Sequence, residues 1–309
     1  MKNVILLNHK EKQCGVYQYG KRSANILQKS QNYNFIYIEV ESENEFWNQV
    51  NIYNPIAIIY NYHVSTMPWL GRHSIIKYPN IMHYALHHEG SKPTHIPFNY
   101  YLIVDSTHID NGINFSIPRP LLENINIKHQ KNDIPIISSF GFGFGNKGFG
   151  RVVKIVNDTF DQAIIKLQIP RAFYGDRNGE ASAGVFPGCH AEVKKPGIQL
   201  QITTDFLDDE GLLNFLASST ANVFLYDEML GRGLSSVIDY ALSVDVPLVI
   251  NNSDMFRHIK HTSPSICIEN MSLLNIINNG TAALQQYKNK WSHANFIKKY
   301  ETIIYNTKR

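Results

Sequence analysis

Short apolar runs alternate with helix-like segments along almost the whole chain, and this alternation constrains the fold more than any other feature. It is typical of βαβ units, which build parallel sheets covered by helices on both faces. In the first half, five runs have the length and composition of strands: Val4–Leu7, Phe35–Val40, Ile56–Tyr60, Ile81–Leu86 and Tyr101–Val104. A loop that contains Gly15 and a predicted helix from Val16 to Lys29 connect the first two of them.

The same alternation begins again after Phe115–Pro135, a proline-containing stretch without clear periodicity that we interpret as a linker. Six further runs are predicted strands: Ile134–Phe140, Ala163–Ile169, Ile198–Ile202, Asn222–Tyr226, Pro247–Ile250 and Ser265–Ile268. Helices are predicted between them, at Phe149–Phe160, Asp208–Ser218 and Ser235–Val244.

A chain of 309 residues exceeds one ordinary core and suits two domains of about 150 residues each. The sequence therefore predicts two facing, doubly wound, Rossmann-like α/β domains, over residues 1–130 and 131–290. A final helix in residues 291–309 is predicted to pack back on the first domain. In such a pair, the carboxyl ends of both sheets line a shared cleft, where sheets of this type bind their ligands.

Composition narrows the function classes. The net charge is only +3 and no block of like charges occurs, so the sequence does not predict a nucleic-acid partner. Three scattered cysteines exclude a disulfide framework and a CxxC zinc site. The opening apolar run is too short for a secretion signal, so we expect a cytoplasmic protein. The slight basicity is compatible with a peripheral contact with a membrane surface.

The strongest local motif is a glycine-rich loop in residues 138–153, SFGFGFGNKGFGRVV, between a predicted strand and a predicted helix. Glycines let the backbone approach a phosphate closely, and the helix start adds free N–H groups and a positive dipole end. Gly145, Lys147 and Gly148 are the candidate phosphate-binding residues, with Lys147 as a mobile positive charge. Without a ligand, the same loop would be a flexible glycine-rich turn.

A dinucleotide-binding fold is one candidate for this loop, because Gly143, Gly145 and Gly148 match its GxGxxG spacing. That fold also needs an acidic residue at the end of the next strand, to bind a ribose hydroxyl. Here the next predicted strand ends at Ile169, and Pro170 and Arg171 follow it. A P-loop is excluded because no GKS or GKT occurs.

A second cluster lies in residues 226–259, where a predicted strand ends at Tyr226 and a predicted helix begins near Ser235. Ser235 or Ser236 can cap this helix and leave amide donors directed at an anion. Arg232, in the preceding turn, can bind phosphate oxygens in a bidentate manner. Asp239, about one turn into the helix, is within reach of a sugar hydroxyl. The alternative is an ordinary capped helix with a surface arginine and aspartate.

These two motifs in this order resemble the carboxy-terminal domain of the family 4-like retaining glycosyltransferases, which have the two-domain GT-B fold. The matching positions are Lys147-Gly148, Gly233-Leu234, Asp239-Tyr240-Ala241 and Pro247-Leu248-Val249. The first half of the chain is similar to the family only in its Gly15 loop and in its domain plan. The resemblance implies a nucleotide diphosphate sugar as donor, bound by the second domain without a metal or other cofactor.

The resemblance also implies roles for individual residues. Lys147 would bind the donor diphosphate, the amides of Gly233 and Leu234 would assist it, and Asp239 would bind the ribose. The family places a first glutamate eight residues before the second acid, where this chain has Gly231. Glu228, eleven residues before Asp239, is the nearest upstream candidate for the contact with the donor sugar.

Histidines cluster at the end of the fourth predicted strand, in NIMHYALHHEG. His83 and His87 have a spacing that would suit metal ligands on a helix, but the segment resembles a strand that runs into a loop. In the predicted architecture this strand end faces the cleft. His87 or His88 would then act on the sugar during catalysis, and we favour His88 because it lies further towards the carboxyl end.

The sequence thus predicts a glycosyltransferase that moves a sugar to a saccharide, lipid or protein acceptor, with retention if the family resemblance holds. Lys147 and Arg232 would stabilise the departing diphosphate. Two alternatives stay open at this point: a dinucleotide-dependent oxidoreductase that uses the glycine-rich loop, and a non-catalytic nucleotide- or sugar-binding protein on the same fold.

Overall fold

The computed structural model describes residues 1–89, 92–123 and 133–307. The chain divides into two units: Met1–Pro120 together with Lys290–Arg309, and Leu121–Asn289. Within the described residues, no helix is long and apolar enough to cross a membrane.

The described residues form eleven strands and eleven α-helices, which we number along the chain. The strands are β1 (Lys2–Asn8), β2 (Tyr33–Glu39), β3 (Ala57–Tyr60), β4 (Met82–His87), β5 (Tyr100–Ile103), β6 (Asn114–Ser116), β7 (Ile136–Phe140), β8 (Ala163–Gln168), β9 (Ile198–Thr203), β10 (Ala221–Phe224) and β11 (Leu248–Ile250). The helices are α1 (Gly15–Leu27), α2 (Glu43–Tyr53), α3 (Arg72–Ile76), α4 (Phe149–Thr159), α5 (Glu180–Gly184), α6 (Phe186–Ala191), α7 (Asp209–Ala217), α8 (Val237–Leu242), α9 (Leu273–Asn279), α10 (Gln285–Lys290) and α11 (His293–Thr307).

The first unit contains a parallel sheet in the order β2-β1-β3-β4-β5-β6. The central strands of this sheet are continuous runs of apolar residues, because helices cover both faces of the sheet. Val4 and Leu6 of β1 face a cluster that includes residues of α1 and α11, such as Ile26 and Phe296. Ile5 and Leu7 face the opposite cluster, which includes residues of α2.

The second unit contains a parallel sheet in the order β11-β10-β7-β8-β9. This is the Rossmann order 3-2-1-4-5, with no sixth strand among the described residues, while the first unit has the flavodoxin-like order with one added strand. The predicted class, two Rossmann-like α/β domains, is confirmed. In each sheet the direction of strand addition reverses once, between β1 and β3 in the first unit and between β7 and β10 in the second. Sheets of this type bind ligands beyond the carboxyl ends of the strands at that reversal.

Most strand predictions are confirmed, with ends that differ by one or two residues, but the predicted strand Ser265–Ile268 is wrong. Only Cys267 forms a bridge, to Ile250 of β11. Pro264 precedes this segment and a turn begins at Ile268, so too few residues remain for a ladder. The sequence prediction also lacked β6 and the helices α2, α3, α5, α6, α9 and α10. Strand β6 includes the first two residues of the predicted linker. Residues 124–132 of that linker lie outside the described part of the chain.

Candidate functional site

The glycine-rich loop follows β7, at the strand reversal of the second unit, and leads through a 3-10 turn at Gly145–Lys147 into α4. Gly148 joins the turn to the helix with a φ of 64°, in the left-handed region that favours glycine. A Cβ at this position would lie 1.8 Å from the carbonyl oxygen of Leu225. The loop can therefore pack against the end of β10 only with glycine here.

Lys147 lies over the aromatic ring of Tyr226, the second residue after β10, with its Nζ 4.1 Å from the ring centroid. Tyr226 is fully buried, and burial raises the pKa of its hydroxyl. A lysine over a tyrosine face is stabilised by about 0.5–2 kcal/mol. The backbone N–H of Asp227 also donates to the carbonyl of Asn146, at 2.9 Å. The glycine-rich loop after β7 and the residues after β10 thus contact each other at the strand reversal. These contacts hold the ammonium group of Lys147 beside the start of α4.

Arg151, in the first turn of α4, is a site residue that the sequence interpretation did not name. Its guanidinium donates twice to the carbonyl of Leu225, at 2.6 and 3.1 Å, and its Nη1 lies 2.6 Å from a carboxylate oxygen of Asp227. The first turn of α4 itself contains no acidic residue that would compete with an anion for its N–H groups. The position of this arginine directly after the GNKGFG segment was the available sequence signal.

A second group of residues that the sequence interpretation did not name supports the glycine-rich loop from α5 and the segment before it. Gly143 packs so closely on Ser182 that a Cβ would lie 2.3 Å from the Cα of that serine. Asp176 is buried and accepts hydrogen bonds from the N–H groups of Ala181 and Ser182, at 2.8 and 3.0 Å, and from the Ser182 hydroxyl. Burial alone would raise the pKa of Asp176, but these hydrogen bonds outweigh it and lower the pKa. The carboxylate therefore fixes the backbone against which the glycine-rich loop packs.

The turn between β10 and α8 contains the other predicted residues of the second unit. Arg232 is exposed, Gly233 is half-buried, and Leu234 and Ser235 are buried. The carboxylate of Glu228 accepts from the N–H of Asp254, at 3.1 and 3.3 Å, and so helps to cap a short 3-10 turn.

The position predicted for the cap of α8 is correct, but the capping bond is absent. Ser236 is the N-cap residue, but no side-chain capping bond is present. The N–H of Ser235 donates to the carbonyl of Met255 at 3.2 Å, so this amide already has a protein acceptor. Asp239 lies in the first turn of α8 and is fully buried, with a relative exposure of 0%. The structure thus presents Arg232 to solvent and covers Asp239.

In the first unit, the predicted residues lie around the reversal between β1 and β3. Gly15 is the first residue of α1 and its Cβ position is open. His87 ends β4 and makes an edge contact with the ring of Tyr101, at 6.1 Å between centroids. His88 follows the strand, and its Nε2 lies 2.7 Å from Oδ1 of Asn61. The adjacent histidines therefore contact different partners, as expected at a strand end.

His88 is half-buried and its ring lies edge-on against Tyr19, at 5.2 Å between centroids. Burial, reinforced by His63 and Arg119, lowers the pKa of His88 to about 3. His88 is therefore neutral at physiological pH, and it can act there as a hydrogen-bonding group but not as a source of positive charge.

His83 is no part of this site. It is buried within the first unit, and its ring nitrogens contact the hydroxyl of Tyr60 at 2.9 Å and the carbonyl of Tyr78 at 3.2 Å. These contacts give His83 a structural role in the core, near the start of β4, the strand that ends at His87.

In the second unit, which contains the glycine-rich loop, no acidic residue stands at the strand end where a dinucleotide-binding fold needs one. In the second unit β8 ends at Gln168, whose amide donates to the carbonyl of Asp205 and accepts from the Thr203 hydroxyl. In the first unit β2 does end at an acid, Glu39, but the loop after β1 lacks the GxGxxG spacing. Among the described residues, no group of three or more His, Cys, Asp or Glu side chains has a geometry that could hold a metal ion.

Neither a protein-family model nor a curated protein matches this chain. Solved structures do. A glycosyltransferase from Rickettsia africae has a TM-score of 0.64 and 12% identity, with 99% of this chain and 98% of that one covered. HepE from Anabaena, in complex with UDP, has a TM-score of 0.66 and 9% identity, with 99% and 100% covered. The lipopolysaccharide outer core galactosyltransferase WaaB has a TM-score of 0.58 and 11% identity, with 99% of each chain covered. Over nearly its whole length, the chain has the GT-B fold of these glycosyltransferases.

Proposed function

We propose that this chain is a glycosyltransferase that takes a sugar from a nucleotide diphosphate sugar, with the nucleotide bound by the second unit. The observation that carries the proposal is the position of Lys147. Its ammonium group lies over Tyr226, beside the start of α4 and at the strand reversal where sheets of this type bind nucleotides. The fold is that of the glycosyltransferase from Rickettsia africae and of HepE from Anabaena, which was solved with UDP and glucose.

The chemistry requires that negative charge on the departing diphosphate be stabilised. Lys147 provides a full charge, and the start of α4 provides N–H groups and the positive end of the helix dipole. Arg232 is exposed and able to reach an anion from the β10–α8 turn. The amides of Gly233 and Leu234 would add further donors. These groups supply the stabilisation from the protein itself.

The ribose contact proposed for Asp239 has a structural condition. The carboxylate is fully buried, so it can reach a ribose only after the residues that cover it move. Donor binding would therefore be accompanied by a local rearrangement around the start of α8. The acceptor, which the first unit would bind, is a saccharide, a lipid or a protein, and transfer would proceed with retention and in the cytoplasm.

The decisive test of the nucleotide site is calorimetry on the Lys147→Ala variant. A panel of UDP-, GDP- and ADP-sugars first identifies the donor. Loss of one charge-assisted contact should then cost about 1.5–3 kcal/mol, which is roughly a 10- to 150-fold weaker affinity. Lys154→Ala is the matched control, because Lys154 is an exposed lysine of the following helix, α4, and pairs with Asp158. Equal donor affinity in both variants would show that the glycine-rich loop is only a turn.

A non-catalytic nucleotide-sugar-binding protein is the second candidate, and Glu228 is the observation that favours it. By comparison with the family motif, Glu228 is the nearest acid that could contact the donor sugar. Its carboxylate, however, already accepts a hydrogen bond from the N–H of Asp254. Binding of a nucleotide sugar without any release of nucleoside diphosphate would support this candidate over the transferase.

A further inference from the structure

A directed chain of hydrogen bonds begins at His88, crosses the carboxyl edge of the first sheet and ends at Glu39. Nε2 of His88 lies 2.7 Å from Oδ1 of Asn61, and Nδ2 of Asn61 lies 2.8 Å from Oδ1 of Asn8. Nδ2 of Asn8 then donates to the Tyr37 hydroxyl at 3.0 Å, and that hydroxyl donates to Glu39 at 2.9 Å. Four bonds thus link β4, β3, β1 and β2, and the last acceptor is a carboxylate.

Backbone groups fix the orientation of both amides in this chain. Nδ2 of Asn8 also donates to the carbonyl of Tyr17 at 3.0 Å, and Oδ1 of Asn8 accepts from the N–H of His9 at 3.0 Å. Nδ2 of Asn61 also donates to the carbonyl of Val16 at 2.6 Å. A carbonyl only accepts and an N–H only donates, so neither amide can be turned round without loss of these bonds.

The fixed amides determine the tautomer of His88. Since Oδ1 of Asn61 can only accept, Nε2 of His88 must carry the hydrogen. In a neutral ring Nδ1 is then left as an acceptor. Burial favours the neutral ring, because it lowers the pKa of His88 far below physiological pH. The ring therefore offers a lone pair, which suits a hydroxyl donor and would repel a phosphate oxygen.

The close approach of α1 explains how the two amides are held together. A Cβ on Gly20 would lie 2.3 Å from Nδ2 of Asn61 and 2.9 Å from Nδ2 of Asn8. Only glycine at this position lets the helix pack directly on the amide pair. Gly20 is therefore part of the same arrangement, although it lies within a helix, where glycine is costly.

We propose that Asn61 is a positioning residue that holds His88 in the Nε2-protonated tautomer, so that Nδ1 accepts a hydrogen bond from a hydroxyl of the sugar ligand. The assignment of a sugar ligand rests on the proposed function, whereas the tautomer does not. In this arrangement His88 recognises a sugar hydroxyl and does not protonate a leaving group.

The tautomer can be measured by nitrogen NMR on the full-length protein with labelled histidines, at neutral pH and without ligand. The His88 signals are assigned from their absence in His88→Gln. We expect the Nε2-protonated neutral form in the wild type and in Asn51→Ala, an exposed control on α2. Asn61→Ala should populate the other tautomer. An Nδ1-protonated or charged His88 in the wild type, or an unchanged tautomer in Asn61→Ala, would overturn the positioning role.

The ligand is tested with the tightest binder among UDP-, GDP- and ADP-glucose, compared with its bare nucleoside diphosphate. We expect the Nδ1 signal to move with the nucleotide sugar and not with the nucleoside diphosphate. In turnover, Asn61→Ala should lower kcat on the order of tenfold and leave nucleotide affinity unchanged. A wild-type kcat in this variant overturns the inference while the proposed function stands. Failure of all three nucleotide sugars to bind overturns the sugar assignment together with the proposed function.

Discussion

Replacement of Gly148 by alanine should destabilise the second unit through two effects that the structure shows. The residue has a φ of 64°, and a Cβ there would lie 1.8 Å from the carbonyl oxygen of Leu225. The left-handed conformation costs a non-glycine residue about 1–2 kcal/mol. Backbone movement to relieve the overlap costs about 1–3 kcal/mol more. We therefore expect the free energy of unfolding to fall by roughly 2–5 kcal/mol, a large part of the usual total of about 5–15 kcal/mol.

Gly145 provides a matched control within the same loop. No heavy atom lies within 4 Å of its ideal Cβ position, and its backbone is outside the left-handed region. Gly145→Ala should therefore change the free energy of unfolding by no more than about 0.5 kcal/mol. Gly145 is also a proposed phosphate-binding residue, so we expect donor affinity to fall in this variant although stability does not.

The assay is denaturant unfolding of both variants, followed by donor calorimetry under conditions where each is folded. The reasoning is refuted if Gly148→Ala unfolds at the wild-type midpoint with an unchanged slope. It is also refuted if Gly145→Ala is the less stable of the two variants. In that case the conformation of the loop would not depend on the packing of Gly148 against the end of β10.

Three further predictions concern other parts of the molecule. Asp176→Ala should lower the free energy of unfolding by about 1–3 kcal/mol in denaturant titrations, because two buried N–H groups lose their acceptor. Glu228→Ala should lower the free energy of unfolding by about 0.5–2 kcal/mol, because the N–H of Asp254 loses its cap. If donor affinity also falls in this variant, Glu228 contacts the sugar as well. If donor affinity is unchanged, the role of Glu228 is purely structural. Burial lowers the pKa of both His9 and His83 to about 4, so the unfolded chain binds more protons than the folded one below about pH 6.5. The free energy of unfolding that these two neutral histidines contribute should therefore be fully present above pH 6.5. It should fall by up to about 1.4 kcal/mol per histidine and pH unit towards pH 5, where the carboxylates of the unfolded chain are still ionised. A free energy of unfolding that stays constant between pH 6.5 and 5 would contradict this.

The strands were predictable because both sheets are parallel and covered on both faces. Val4 to Leu7, for example, are all buried and therefore form an unbroken apolar run. The glycine-rich loop was predictable because its glycines directly follow β7, a buried strand that was itself predicted. By contrast, β6 has three residues, which is too short for a periodic pattern.

Helix α2 was missed although its start carries a local signal. Ser42 accepts from the N–H of Glu45, whose carboxylate accepts from the N–H of Glu41. The spacing of Ser42 and Glu45 resembles that of a capping box, which is visible in the sequence. The apolar residues of α2 on the buried face, Phe46 and Val50, are too few for a strong helical period.

The hydrogen-bond chain to His88 could not be predicted from the sequence. Asn8 and Asn61 are 53 positions apart, and they meet only because β1 and β3 are neighbours in the sheet. Nothing local distinguishes these asparagines from the others of the chain. Burial of Asp239 was equally hidden, because the motif gives its position on α8 but not what covers it.

The most direct test of the central claim is release of nucleoside diphosphate from a panel of UDP-, GDP- and ADP-sugars, with NAD and NADP titrated in parallel. The account predicts that the full-length protein releases nucleoside diphosphate from one donor class when a suitable saccharide, lipid or protein acceptor is present. Lys147→Ala should release it more slowly at limiting donor, while Lys154→Ala should match the wild type. Tight binding of NAD or NADP, with no binding of any nucleotide sugar, would contradict the account and favour an oxidoreductase.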